Sequence, residues 1–140
     1  MTMGTSMDPS VLKTYEASLA RCDQNPVFLD RFYEIFLAAS PRVAEKFAHT
    51  DFTGQKRALR ESLNSMLMAA ADPDHPEQYL RDIAERHSSR QLAIGAEFYD
   101  YWLDSLIATV KECDPQFDAR VQQAWEYVMM HGISYLLSKY

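Results

Sequence analysis

Tyr33, Pro41, Phe47, Gln55 and His87 form an ordered series whose side chains could do chemistry together on a helical scaffold. His87 follows Tyr79, Leu80, Ile83 and Ala84, a spacing that turns its ring from an apolar helix face toward the core. A neutral imidazole nitrogen in such a place is a natural fifth ligand for the iron of a porphyrin. Its other ring nitrogen then needs an acceptor, and the carbonyl of Ile83, one turn back, is the expected one. Phe47 lies six residues after Pro41, where a flat ring could wedge a porphyrin face. Tyr33 stands among phenylalanines, so a buried hydroxyl there needs a partner. Gln55 and Leu59 are four apart and share one helix face. A hydroxyl and an amide facing a lone imidazole are the donors that would meet a diatomic gas on the far side of the metal.

Each residue also has an ordinary explanation. His87 alone reads as a core or surface histidine with one hydrogen bond, and Phe47 as core packing. Gln55 alone reads as a solvated amide, and Tyr33 as a hydroxyl bonded to a backbone carbonyl or water. Order and spacing together favour the metal reading over these.

The elements that must position these groups are marked by proline. All six prolines follow a polar residue: Asp8-Pro9, Asn25-Pro26, Ser40-Pro41, Asp72-Pro73, His75-Pro76 and Asp114-Pro115. A capping oxygen before a proline is a helix start, because the first helical N–H would be unpaired anyway. His75 is the weakest of these caps. The pattern predicts helices over 9–23 and 26–39, and a short piece from 41 to about 47. After a turn over 48–54, a longer helix carries Ala58, Leu59, Leu63, Met66, Leu67 and Ala70 on one stripe. Further helices run from about Glu77 to His87, from about Ala96 to Cys113, and from Pro115 to the C-terminus, with a corner over 88–95. No segment alternates as a strand would, so the class is all-α.

Composition narrows the function classes. The chain has 140 residues, enough for one domain with its own core. A net charge of −6 argues against a nucleic-acid backbone or an anionic membrane as the main partner. Cys22 and Cys113 form no zinc pattern and no haem-attachment motif, and are expected as buried reduced thiols. No apolar run approaches the ~20 residues of a membrane helix, and no signal-peptide core is present, so a cytoplasmic protein is expected.

At this point the chain resembles the globin family, and more particularly the bacterial single-domain globins and the globin portion of flavohaemoglobins. The resemblance rests on Phe32-Tyr33, Ser40-Pro41, Glu45-Lys46-Phe47, Gly54-Gln55, Ala58-Leu59, the run from Asp82 to Ser89, Ala108-Thr109 and Ala124-Trp125, and it covers residues 10–140. It implies a globin fold, a three-over-three helical sandwich around a haem pocket, with 9–140 as the domain and 1–8 as a flexible tail. It makes His87 the proximal ligand of a non-covalent haem b, with Phe47 packed against it. Tyr33 and Gln55 become the distal donors, in a catalytic role, and Leu59 the apolar wall. Tyr99 resembles the tyrosine flanking the proximal histidine in flavohaemoglobins, with two extra residues intervening. Arg90, and Lys56 or Arg57, could meet the haem propionates or remain solvated. His49 and His131 are alternative ligands that nothing in the sequence places near the iron.

The implied ligands are O2, NO and CO, in a monomer or homodimer. Two donors aimed at bound oxygen would slow its release by roughly one to two orders of magnitude. That suits nitric oxide dioxygenase-type chemistry better than oxygen carriage. Flavohaemoglobins carry a reductase domain that this sequence lacks, so electrons would come from a separate reductase. Their proximal glutamate has no clear counterpart near Leu137-Ser138-Lys139. A gas sensor acting through a partner protein, and a haem-free helical scaffold, are the competing expectations.

Overall fold

Seven α-helices and no strand account for the described residues, 8–140, in a computed structural model of the chain. They are α1 (Pro9–Asp23), α2 (Phe28–Ala38), α3 (Pro41–Lys46), α4 (Phe52–Ala71), α5 (Glu77–His87), α6 (Ala96–Cys113) and α7 (Ala119–Ser138). Of the tail expected over 1–8, residues 1–7 lie outside the described residues, and Asp8 is the cap of α1.

Two of the prolines start helices as expected. Asp8 accepts the Ser10 N–H with Pro9 in the first helical position, and Ser40 accepts the Arg42 N–H ahead of Pro41. Others sit in turns instead. Asn25 uses its side-chain oxygen on the Val27 N–H, and α2 begins only at Phe28. Pro73 belongs to the turn between α4 and α5. Pro115 does not open α7: Asp114 accepts the Gln116 N–H at 2.8 Å across the proline as well as holding Arg21 and Ser18, and this closes a turn rather than starting the helix. Asp118 caps that helix through the Val121 N–H. Asp51 caps α4 through the Thr53 N–H, so the helix begins before Gly54, inside the stretch read as a turn.

The helices pack in two layers, α1, α4 and α5 over α2, α6 and α7. Helix α2 lies against α6, and α1, α4 and α5 each lie against α7. The core between them holds Tyr15, Phe32, Leu63, Leu80, Leu106, Trp125 and Met129, all with almost no exposure. Burying a large apolar side chain contributes about 1.5–3 kcal/mol, so this interior carries most of the stability. Cys22 and Cys113 are both buried and free, and burial pushes the Cys22 thiol up to about 12.

Two contacts knit distant elements together. Arg21 grips Asp114 through Nε and a terminal nitrogen, at 2.6 and 2.9 Å. Ser18 donates to the same carboxylate and accepts from the Trp125 indole at 2.8 Å, which ties α1 to the α6–α7 corner and to α7. Two turns further along α7 from Trp125, Gly132 lets α4 approach closely. A Cβ placed there would stand 2.7 Å from the Met66 sulfur. Among the described residues, no helix is long and apolar enough to cross a membrane.

Candidate functional site

Residues from α2 to α7, and from the links after α3 and α5, line one cavity of about 370 Å³. Helix α4 supplies Gln55, Ala58, Leu59, Ser62 and Met66, a stripe at helical spacing. Helix α2 supplies Tyr33 and Phe36, and α6 supplies Phe98, Tyr99 and Trp102. Six residues singled out from sequence therefore share this wall: Tyr33, Phe47, Gln55, Leu59, His87 and Tyr99.

His87 is the last residue of α5. Its Nδ1 lies 2.8 Å from the Tyr99 hydroxyl, not on the Ile83 carbonyl anticipated from sequence. The docking of α6 explains the difference, since it brings the Tyr99 hydroxyl within hydrogen-bond reach of the ring. Among the described residues Nε2 has no hydrogen-bond partner, and the ring lines the cavity. Burial, with the neighbouring Arg86 charge adding to it, lowers the imidazole pKa to about 4, so the ring is neutral at pH 7. A ring that offers the Nε2 lone pair to a metal keeps its proton on Nδ1 and donates it to Tyr99. Burial raises the Tyr99 pKa, which keeps that phenol neutral.

Tyr33 is buried, and its hydroxyl donates to the backbone carbonyl of Gln55 at 3.3 Å. Its ring meets Phe52 and Phe32 edge-on. Burial raises this phenol's pKa as well, against a smaller opposite effect of the Gln55 contact. Phe47 caps α3 and sets its ring against Phe36, centroids 5.4 Å apart.

The charged residues fall differently from the sequence reading. Arg90 is not part of the cavity wall. Its side chain is 75% exposed and pairs with Glu85, because the chain turns away at the corner after His87. Lys56 pairs with Asp30, and neither it nor Arg57 lines the cavity. The cations that do line it are Lys46 and Arg86, with the Lys46 ammonium 5.5 Å from the Phe98 ring centroid. Both are sequence neighbours of named site residues, Phe47 and His87, and that adjacency was the available signal. Trp102 was also passed over as a site residue, although it follows Phe98 by one turn. His49 and His131 are not in the wall.

A largely apolar cavity, one imidazole nitrogen free of partners and two cations in the wall suit a flat apolar ring that carries a metal and negative side groups. The residues fit haem. A bare ion would find less, since no group of three or more His, Cys, Asp or Glu among the described residues is arranged to hold one.

Comparison with known proteins follows the same line. No curated protein matches the chain. The crystal structure of PA3967 from Pseudomonas aeruginosa PAO1, described as structurally highly homologous to a human hemoglobin, matches with a TM-score of 0.87 and 38% identity. That match covers 93% of this chain and 98% of the other. A family model for globins matches residues 30–136, from the first turn of α2 to the last turn of α7, and the chain belongs to the globin family.

Proposed function

We propose that this globin holds haem b non-covalently through His87 and binds a diatomic gas on the Tyr33 and Gln55 side of the cavity. The observation that carries this reading is the His87 ring, neutral, fixed at Nδ1 by Tyr99, and without a partner at Nε2 in the cavity wall. Haem, when bound, supplies the iron centre to which the gas attaches. The protein's part is placement. Tyr99 sets the rotation of the imidazole by accepting the hydrogen bond of its Nδ1–H. Phe47, Phe36 and Leu59 exclude water with apolar surface, and Lys46 and Arg86 neutralise the propionates in place of Arg90. Tyr33 and Gln55 offer hydrogen-bond donors to a ligand that gathers negative charge.

Two such donors favour holding oxygen long enough for a second molecule to react with it. Nitric oxide dioxygenase-type detoxification, with electrons from a separate reductase, is therefore the enzymatic form of the proposal. Purified protein supplied with haem should develop a Soret band, and His87→Ala should lose or severely weaken it. A colourless wild type after haem addition, or an unaltered band in the variant, would remove His87 from the role.

A further inference from the structure

Ala93 is held at φ +53°, and no other residue besides glycine among those described has a positive φ. An alanine in the left-handed region is strained, and such a residue persists only where its surroundings fix it. Hydrogen bonds do that here. The N–H groups of Leu92, Ala93 and Ile94 donate to the carbonyls of Arg86, Ser88 and His87 at 3.0, 2.9 and 3.0 Å, which folds the corner back onto the end of α5. Gly95, two residues on, has an ordinary φ of −88°, so the glycine of this corner does not stand where the strain is.

Ala93 also stands on a boundary. Leu92 and Ile94 line the cavity, whereas Ala93 lines a cleft of about 810 Å³ outside it. Lys46 and Phe98 belong to both walls, so the two spaces adjoin. One pass of the chain parts them here, and Leu92 is 53% exposed although it lines the cavity. The corner is fastened at both ends, by the Ser89 N–H on the Tyr140 carbonyl at 3.0 Å and by the start of α6 at Ala96. What can swing lies between, and opening it breaks the bonds to α5 while releasing the strain at Ala93.

We propose that this corner is a sprung door through which haem enters and leaves the cavity, with the strain at Ala93 setting how often it opens. This rests on the haem reading above. Unstrained, the same corner would stay shut longer; with alanine at 93 it yields, and the group behind it stays exchangeable.

Ala93→Gly removes the strain and keeps the hydrogen bonds, whereas Gln91→Gly only adds freedom to the same corner. In Ala93→Gly, amide hydrogen exchange at Leu92 and Ile94 should be about two- to fivefold slower than in the wild type. Transfer of haem from the loaded protein to an acceptor of higher affinity should slow by a similar factor. Gln91→Gly should slow neither. Exchange that is unchanged or faster in Ala93→Gly overturns the proposal, and so does equal slowing in both variants. Slower exchange with unaltered haem transfer overturns it too, because the corner is then sprung but is not the door. A wild type that takes up no haem defeats the function proposed above and removes the cargo of this door, while the exchange rates still decide whether Ala93 springs the corner.

Discussion

Tyr33 spends its hydroxyl on the Gln55 carbonyl at 3.3 Å, long for an O–H···O bond. The donor is thus held in the cavity wall without being strongly committed, and a ligand that gathers negative charge can recruit it at small expense. Tyr33→Phe should leave the Soret band in place and speed oxygen dissociation about two- to tenfold by stopped flow. An unaltered rate would take the hydroxyl out of gas binding. Much of this constellation was legible in the chain, because helical spacing and the order Tyr33, Phe47, Gln55, His87 put these residues on faces that converge. Contacts that depend on how helices dock were not legible. The acceptor for His87 is Tyr99, a residue of the next helix, and no local rule distinguishes it from the Ile83 carbonyl. Lys46 and Arg86 look like any solvated cations until α3 and α5 are folded around the cavity.

Helices were easier to read than their joints. The limits of α1, α5 and α6 agree with capping and apolar periodicity, whereas α7 starts four residues after Pro115, where Asp114 closes a turn and Asp118 supplies the helix cap. An Asp-Pro pair closes a turn as readily as it starts a helix, and local sequence does not separate the two. The same holds for the close approach of α4 to α7 at Gly132, where the neighbour is Met66. In Gly132→Ala, greater helix propensity contributes up to about 1 kcal/mol, against about 1–3 kcal/mol for overpacking. The net loss should stay within about 2 kcal/mol. Met66 is flexible and lines the cavity, so it should give way and alter the cavity's shape. Thermal unfolding should show at most a modest loss, while haem transfer to an acceptor protein should quicken. A more stable variant with unchanged haem release would mean that Met66 moves elsewhere.

Across the whole molecule, the network of Arg21, Ser18, Asp114 and Trp125 joins the first helix to the last, and the Asp114 side chain has no exposure. Burial alone would push this carboxyl up, but hydrogen bonds from Arg21, Ser18 and the Gln116 N–H outweigh it and hold the pKa below the ordinary value. A depressed carboxyl stabilises the fold above its unfolded pKa, near 3.9, and that contribution fades as pH falls through the lower folded value. Asp114→Asn should therefore lose about 3 kcal/mol at pH 7, as expected when one partner of a buried pair is removed. Urea unfolding should show the gap from wild type narrowing below about pH 4. A gap of constant size would mean that the negative charge contributes nothing. The same network has a consequence for synthesis. Ser18 is 96 residues from Asp114 and 107 from Trp125 along the chain. At about 5–20 residues per second, the first helix emerges from the ribosome roughly 5–20 s before the groups that fasten it. Over that interval the face bearing Tyr15 and Cys22 is uncovered, and a chaperone or a neighbouring nascent chain can reach it before the last helix does.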